Sequence, residues 1–315
     1  MTNYNQDDAR ILKMTNLDES TSAFLLRQLT LIRKKALIVK KAPLNAFTVF
    51  PVMTDVPPGA ETAIQRIYDS VGMAEIISNY GDDLKRVDIV AKENAVRVVT
   101  VGDAYGYNFQ EIANAQFAGM DLDALRASAA RRAIDAKLNR IAWHGDSSHN
   151  VIGFLNNDNI TSFSLPADGD GSATELYKKT EEEVLRDMND FIESIPEQTK
   201  QVETADTVLL APKAYNHLAT TRLKDSDRTI LEFLQGVHPE ITRWMKIGEL
   251  EGADNGKDVM IAGNFIPEYI KFEIPQRFYQ MPVQPNNLEY KVPCLSRAIG
   301  VTITMPLAFA KASGC

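Results

Sequence analysis

Residues 121–146 read DLDALRASAARRAIDAKLNRIAWHGD, and residues 152–156 read IGFLN. The first stretch carries an apolar stripe that repeats at the spacing of an α-helix. Its members are Leu122, Leu125, Ala129, Ala133, Ile134, Leu138 and Ile141, with Ala130 and Ala142 beside them. Asp121 stands where an N-terminal cap is expected. At about 1.5 Å per residue, a helix over about residues 121–143 would be roughly 35 Å long, so we expect it to span a whole domain.

The residues before this helix are predicted to form a shorter helix, preceded by β-structure. The shorter helix runs from about Asn108 to Gly119. Residues 87–89 and 96–101 are rich in valine and flank Lys92-Glu93-Asn94, which predicts a hairpin with its turn at those three residues. The segment from residue 57 to 101 has few large apolar residues of its own. Because a lone two-stranded hairpin is marginally stable in water, we expect this segment to pack against another surface.

The first 54 residues look like an arm with one short amphipathic helix, and the charged residues in its second part are all basic. There is no acidic residue from Ser20 to Thr54, and the basic residues in this region include Arg27, Arg33, Lys34, Lys35, Lys40 and Lys41. We call these six residues the basic strip. It is either a solvated helix face or a contact for nucleic acid or for an acidic neighbouring surface.

Beyond the long helix, helices and strands alternate irregularly. We expect a charged amphipathic helix from Thr174 to Ile195, a short buried strand from Thr207 and helices that begin near Pro212 and Ser226. The region from Val259 to Pro306 is rich in strand patterns. This order predicts the α+β class and lacks the regular alternation of a doubly wound sheet.

Composition excludes several classes of protein. The chain has 315 residues, 44% of them hydrophobic, and a formal net charge of −8, which argues against a surface devoted wholly to nucleic acid. Its two cysteines, Cys294 and Cys315, are too few for a disulfide framework and favour a reducing compartment. The polar, acidic N-terminus does not resemble a secretory signal, and no apolar run approaches the length of a membrane span.

Two short motifs could carry metal chemistry, and neither completes a site. His144, Asp146 and His149 lie close together at the end of the long helix, but their spacing matches no known ligand set, so a polar helix terminus is the simpler interpretation. Asp168-Gly-Asp170-Gly-Ser172 begins like a calcium loop, but Ala173 and Lys179 replace the glycine and glutamate that such a loop needs. We therefore predict no catalytic residue, no cofactor and no metal.

The 121–146 stretch with its IGFLN continuation resembles the spine-helix segment of tailed-phage major capsid proteins and, more distantly, of encapsulin shell proteins. Other blocks resemble one phage capsid family. They are residues 56–62 (VPPGAET), 68–77 (YDSVGMAEII), 80–84 (YGDDL), 105–112 (YGYNFQEI) and the tail from Ile270 to Pro306.

This resemblance implies the Hong Kong 97-type (Johnson) fold, which is α+β. The implied parts are an N-terminal arm at residues 1–54, an extended E-loop hairpin at 55–102, a P-domain at 103–200 with the spine helix at about 121–143, an A-domain at 201–262, and C-terminal strands at 263–315 that return to the P-domain. The E-loop residues expected to bury on an adjacent subunit are Ile64, Ile67, Tyr68, Val71, Met73, Ile76, Ile77 and Val87.

The function implied is that of a major capsid protein that self-assembles into the icosahedral head shell around phage DNA. Its expected partners are itself, as hexamers and pentamers, non-specifically packaged double-stranded DNA, and portal, scaffold or decoration proteins, with no membrane. The expected location is the virion, after assembly in the host cytoplasm. Two alternatives stay open at this point: an encapsulin-like compartment shell, and a metal-dependent enzyme that uses His144, Asp146 and His149.

Overall fold

The computed structural model of the chain describes residues 40–71, 88–118, 122–224 and 226–315. The chain divides into two units, residues 1–43 and residues 44–315, and of the first only Lys40 to Pro43 are described. In the described part of the chain, no helix is both long and apolar enough to cross a membrane.

Helices and strands alternate irregularly along the chain. The helices are α1 (Ala46–Val49), α2 (Phe109–Ala118), α3 (Leu122–His144), α4 (Glu181–Thr199), α5 (Pro212–Thr220) and α6 (Ile230–Val237). The strands before α4 are β1 (Val52–Met53), β2 (Thr62–Val71), β3 (Asp88–Arg97), β4 (Val99–Asn108) and β5 (Thr161–Phe163). The strands after α4 are β6 (Thr207–Leu210), β7 (Arg243–Lys246), β8 (Val259–Gly263), β9 (Ile270–Glu273), β10 (Gln276–Gln280), β11 (Gln284–Asn286), β12 (Glu289–Ala298), β13 (Gly300–Ile303) and β14 (Phe309–Ser313).

The strands form four sheets. A five-stranded sheet has the order β5-β14-β8-β6-β7, and a three-stranded sheet has the order β1-β9-β13. A third sheet is centred on the long strand β12, which pairs with β10, β11 and β4, while β2 pairs with β3 in a separate ribbon. Helix α3 packs against β4, β12 and β13. The α+β class predicted from the order of the elements is therefore confirmed.

The C-terminus of α3 has all of its last carbonyl groups satisfied. A helix leaves its final four carbonyl oxygens without helical partners. Here the Gly145 amide donates to the Ile141 carbonyl, the Phe154 amide to Ala142 and the Leu155 amide to Trp143, each at 2.9 Å. The Asn156 side-chain amide donates to the His144 carbonyl at 2.6 Å. The IGFLN stretch is therefore the cap of the long helix, and it turns the chain back under the helix end.

Two glycines make this cap possible. Gly145 has a φ of +68°, in the left-handed region that glycine adopts without strain. A Cβ on Gly153 would lie 2.2 Å from the Gly145 amide nitrogen and 2.4 Å from the His144 carbonyl carbon. The two backbone segments cross so closely that neither position has room for a side chain.

The capped helix end places aromatic side chains in the centre of the core. Trp143, Phe50 and Phe154 are among the largest fully buried side chains. The Phe50 ring centroid lies 4.8 Å from that of Trp143 and 5.5 Å from that of Phe154. Phe154 in turn contacts Phe265 and Phe309, which belong to the region of the five-stranded sheet. The aromatic cluster thus joins the helix cap, α1 and that sheet.

A polar junction fixes the chain at the start of α1. The Ala46 amide donates to Asn139 Oδ1 at 2.9 Å, and the Asn45 amide donates to Glu249 Oε1 at 3.1 Å. Asn139 Nδ2 also donates to Glu249 Oε1, at 2.9 Å, and Asn139 is almost fully buried. These bonds satisfy the amides of Asn45 and Ala46, so the start of α1 is fixed at a defined point on α3.

The turn predicted at Lys92–Asn94 is wrong. These residues lie inside β3, which pairs with β2 in one uninterrupted register from Thr62 opposite Arg97 to Val71 opposite Asp88. A two-stranded ribbon lies close to solvent on both faces, so charged residues can continue a strand there. Residues 92–94 also contain no glycine or proline to force a turn.

The helix predicted over Thr174–Ile195 begins later and ends later, as α4. The Thr180 amide donates to Glu183 Oε2 at 2.8 Å, and the Glu183 amide donates to Thr180 Oγ1 at 3.5 Å, which forms a capping box. This local pair sets the start of the helix at Glu181. Leu176 lies in a separate 3-10 turn and is buried.

Because of the glycine crossing, we expect a glycine-to-alanine substitution to have opposite effects on the stability of the subunit at two positions. Gly153→Ala should destabilise the unassembled subunit by about 1–3 kcal/mol or more, because the methyl group overlaps backbone atoms that cannot rotate away. Gly236→Ala, in α6 with nothing within 4 Å of the added carbon, should stabilise it by about 0.5–1 kcal/mol. Chemical denaturation checks both, and equal effects at the two positions would refute the crossing as the cause.

Candidate assembly site

The ribbon formed by β2 and β3 is a two-stranded sheet of its own. It has ten paired positions, and no further strand joins either of its outer edges among the described residues. Ile64, a large apolar side chain on β2, is 61% exposed. Unpaired strand edges and exposed apolar side chains are features that folded proteins normally cover. The ribbon is therefore a candidate contact surface for another molecule.

One arginine ties the base of this ribbon to the body. Arg297, near the end of β12, donates from Nη2 to the Ala60 carbonyl at 2.8 Å and from Nη1 to the Pro58 carbonyl. The Val98 amide donates to the Glu61 carbonyl at 2.9 Å, which closes the ribbon at the same level. The direction in which the ribbon leaves the body is thus set by a guanidinium group on a different sheet.

A groove of about 550 Å³ lies between β4 and α3. Arg97 to Asp103 line it on the strand side, and Ala133, Ile134, Lys137 and Ile141 line it on the helix side. Asp146 and His149 complete the lining. Ile134 and Ile141, two of the lining residues, are buried, and charged residues such as Lys137 and Asp146 also line the groove.

Asp146 is engaged by neighbours within the protein. Lys137 Nζ lies 2.8 Å from its Oδ2, His149 Nδ1 lies 3.1 Å from its Oδ1, and the Ser148 hydroxyl also donates to it. The hydrogen bond from Lys137, followed by those from Ser148 and His149, holds the pKa of Asp146 well below its usual range. Burial, followed by the charge of Arg140, lowers the pKa of His144.

The histidine motif at the end of α3 therefore forms an ion-paired helix terminus. Among the described residues, no group of three or more histidine, cysteine, aspartate and glutamate side chains is arranged to hold a metal ion. The Lys137 ammonium contacts one carboxylate oxygen of Asp146, and the Ser148 hydroxyl contacts the other. This arrangement does not favour a metal-dependent enzyme that uses Asp146.

The calcium-like motif has a different explanation, which involves Lys179. The Lys179 ammonium lies 2.9 Å from Asp168 Oδ1, contacts Asp187, and donates to the Pro166 carbonyl at 2.6 Å. The side chains of Lys179 and Asp187 are both 0% exposed. Hydrogen bonds from Lys179 and then Arg186 lower the pKa of Asp168. Lys179 stands where a calcium loop needs a glutamate. Its ammonium group thus supplies a positive charge to Asp168 and Asp187.

The predicted assembly residues are only partly within the described chain. Of the basic strip, Lys40 and Lys41 are described and both are exposed. The members outside the described residues are Arg27, Arg33, Lys34 and Lys35. Of the E-loop residues, Ile64 is exposed, and Ile67, Tyr68 and Val71 belong to β2. The others, which lie outside the described residues, are Met73, Ile76, Ile77 and Val87.

Sequence reasoning missed two residues that position these surfaces. Arg297 is more than 230 residues from the ribbon base that it holds, and Glu249 is 204 residues from Asn45. Neither belongs to a local motif, and only a signal of covariation between distant positions would have pointed to them. Arg297 fixes the base of the ribbon, and Glu249 fixes the start of α1.

Comparison with known proteins supports one family. The family model described as major capsid protein matches residues 72–315. A search of curated protein sequences gives no match.

Solved capsid structures are similar in fold. The capsid of Myoviridae phage XM1 superposes with a TM-score of 0.78 at 15% identity and covers 92% of this chain and 98% of its own. The capsid of a native GTA particle gives a TM-score of 0.66 at 8% identity, with 94% and 99% covered. A chain from Mycobacterium phage Bobi gives 0.63 at 12% identity, with 95% and 98% covered. The Hong Kong 97-type fold expected from the sequence is confirmed.

The buried Lys179 cluster generates a stability prediction. Lys179→Met should destabilise the unassembled subunit by about 1–3 kcal/mol, because the buried Asp187 loses its ammonium partner and keeps only the Arg186 guanidinium, 2.7 Å away. Adding Asp187→Leu should recover most of that loss, since two apolar groups replace the buried pair.

The neighbouring lysine provides the matched control. Lys178 pairs with Glu175 at 3.0 Å on the surface, so Lys178→Met should cost less than about 1 kcal/mol. Urea denaturation of all three variants measures the differences. If Lys179→Met and Lys178→Met were equivalent, the buried cluster would have no structural importance.

Proposed function

The chain belongs to the major capsid protein family, and on that premise we propose that it self-assembles into the icosahedral head shell that encloses phage DNA. The family's role is structural: repeated copies of one chain build a capsid. The proposal that this chain itself forms a closed shell rests on the β2–β3 ribbon, which is ten residue pairs long. Among the described residues, no strand covers its outer edges, and Ile64 is exposed. A surface of this kind is completed when identical copies pack together.

The ribbon is the proposed clasp between neighbouring subunits. Ile64 is exposed, and Ile67, Tyr68, Val71, Met73, Ile76, Ile77 and Val87 are the further apolar residues assigned to this contact. Fully burying one such side chain contributes about 1.5–3 kcal/mol, so several of them on one clasp can support a stable contact. Arg297 gives the clasp a fixed direction because it holds the carbonyl groups at the base of the ribbon.

The basic strip is proposed to act in assembly or in holding the genome. The net charge of the chain is −8, so the strip is a local concentration of positive charge on an acidic protein. Several lysines and arginines within fifteen residues attract phosphate groups or an acidic protein surface together, although each exposed charge contributes little to folding. Lys40 and Lys41 are exposed, which leaves them accessible for such contacts.

The remaining parts of the proposal concern partners and place. Hexamers and pentamers of the chain would make the closed shell, and portal, scaffold or decoration proteins would join it. A capsid protein is a component of the virion, and we place its assembly in the host cytoplasm. Electron microscopy of purified particles, followed by analysis of their contents, tests the shell and separates packaged DNA from protein cargo.

The clasp is tested by removing the ribbon. Replacing residues 61–96 with a short Gly/Ser linker should give a soluble subunit that unfolds cooperatively, because none of the rings described around Trp143 belongs to the ribbon. The same variant should form no closed shells in electron micrographs. Closed shells from the variant would show that the ribbon is not the clasp, whereas loss of folding would place the ribbon within the core.

The basic strip is tested by charge removal with a matched control. Changing Lys34, Lys35, Lys40 and Lys41 together to Gln should leave the thermal unfolding of the unassembled subunit nearly unchanged and reduce particle yield or DNA retention. Changing the same four residues to Arg keeps the charge and should preserve both. Normal yield and packaging in the Gln variant would remove the functional role of the strip.

A further inference from the structure

The turn that precedes strand β8 contains a chemically labile pair of residues. Asn255 is the only asparagine in the sequence that is followed by a glycine, Gly256. The two residues form a tight turn in which the Asp254 amide donates to the Lys257 carbonyl at 3.2 Å and the Lys257 amide donates back at 2.9 Å. Asn255 and Gly256 have φ values of +50° and +81°, as a two-residue turn of this kind requires. Both are exposed to solvent.

The backbone amide of Gly256 is a nucleophile next to the Asn255 side chain. Among the hydrogen bonds of the described residues, none uses this amide as a donor. Glycine has no side chain to shield the nitrogen, and a Cβ built on Gly256 would meet nothing within 4 Å. Glycine also rotates freely between backbone conformations. The nitrogen can therefore reach Asn255 Cγ when the turn opens, and that local opening breaks only the two backbone bonds of the turn.

We propose that Asn255 is a site of spontaneous deamidation that yields isoaspartate. The Gly256 nitrogen attacks Asn255 Cγ and forms a succinimide ring, and its proton leaves with Nδ2, which departs as ammonia. In the folded turn, Nδ2 donates to Asp254 Oδ1 at 2.9 Å. Water then opens the ring. Attack of water on the backbone carbonyl carbon leaves the chain linked through Cγ, so the backbone gains one carbon atom, whereas attack on Cγ gives an ordinary aspartate.

A second turn of the same length provides an internal comparison. Asn286 and Glu289 pair at the facing ends of β11 and β12, so Asn287 and Leu288 form a two-residue turn. Asn287 is exposed and has a φ of +54°. It is followed by Leu288, whose branched side chain shields the amide nitrogen that would have to attack. The two turns match in length, exposure and asparagine conformation, and they differ in the residue that supplies the nucleophile.

The turn at Asn255 also braces the end of strand β14. The Ser313 hydroxyl donates to Asp254 Oδ2 at 2.6 Å, and the Gly314 amide donates to the Asp258 carbonyl at 2.7 Å. An extra backbone atom at position 255 cannot be accommodated in a two-residue turn that keeps its flanking residues paired. Isoaspartate at this position should therefore loosen the end of β14.

Mass spectrometry of the purified subunit, stored at neutral pH and physiological temperature, tests the proposal. The tryptic peptide of residues 247–257 should gain about one dalton, because water replaces ammonia. Enzymatic methylation, which distinguishes isoaspartate from aspartate, should label this peptide. Conversion at Asn255 should be at least tenfold faster than at Asn287. Equal rates at the two positions, or no conversion at Asn255, would overturn the proposal.

The variant Leu288→Gly transfers the glycine to the comparison turn. Leu288 is 74% exposed, so its replacement removes little packing. Asn287 should then convert at least tenfold faster than in the unmodified chain, while the rate at Asn255 stays the same. An unchanged rate at Asn287 would show that the following glycine is not what makes Asn255 reactive.

Hydrogen–deuterium exchange tests the effect on β14. In the isoaspartate form, the Gly314 amide should exchange at least tenfold faster than in the fresh subunit. Asn255→Asp is the matched control, because it adds the same negative charge and keeps the ordinary backbone, so its exchange should stay near that of the fresh subunit. Equal exchange in the fresh and isoaspartate forms would contradict the brace. All of these measurements use the unassembled subunit, so their outcome is independent of the proposed shell function.

Discussion

The crossing of the backbone at Gly145 and Gly153 is the constraint on which the rest of the subunit depends. It lets the amides of Phe154 and Leu155 reach the carbonyl groups of the last turn of α3, so a long helix ends inside the protein with its polar groups satisfied. The same turn brings Phe154 beneath Trp143 and against Phe265. Without the crossing, the helix end would be buried with unsatisfied carbonyls, and the sheets would lose their common aromatic core.

Around this core, polar and charged groups inside the subunit are paired with one another, whereas some strand edges at its periphery have no partner among the described residues. Lys179 pairs with the buried carboxylate of Asp187 and the partly exposed one of Asp168, and Asn139 and Glu249 fix the start of α1. At the periphery, Arg297 holds the base of the β2–β3 ribbon, whose outer edges pair with no further strand among the described residues. This division suits a capsid protein, since its copies must fold separately before they complete one another's surfaces.

The sequence predicted those features that local periodicity controls. The apolar stripe predicted α3 to within a residue or two of its observed span, Leu122–His144, because a helix places every third or fourth residue on one face. The importance of the glycine pair was not predicted, because no periodicity marks a backbone crossing. The turn at Lys92–Asn94 was misplaced because a solvent-exposed ribbon tolerates charged residues that normally indicate loops. Arg297 and Glu249 act over more than 200 residues of sequence, so local patterns could not reveal them.

The central claim is that the subunit folds around the capped helix and that neighbouring copies complete its open edges. Hydrogen–deuterium exchange, compared between unassembled subunits and assembled particles, tests this claim most directly. Amides of Leu122–His144 should be protected in both states. Amides on the outer edges of β2 and β3 should exchange rapidly in the subunit and become protected only in particles. Equal protection of those edges in both states would contradict the account.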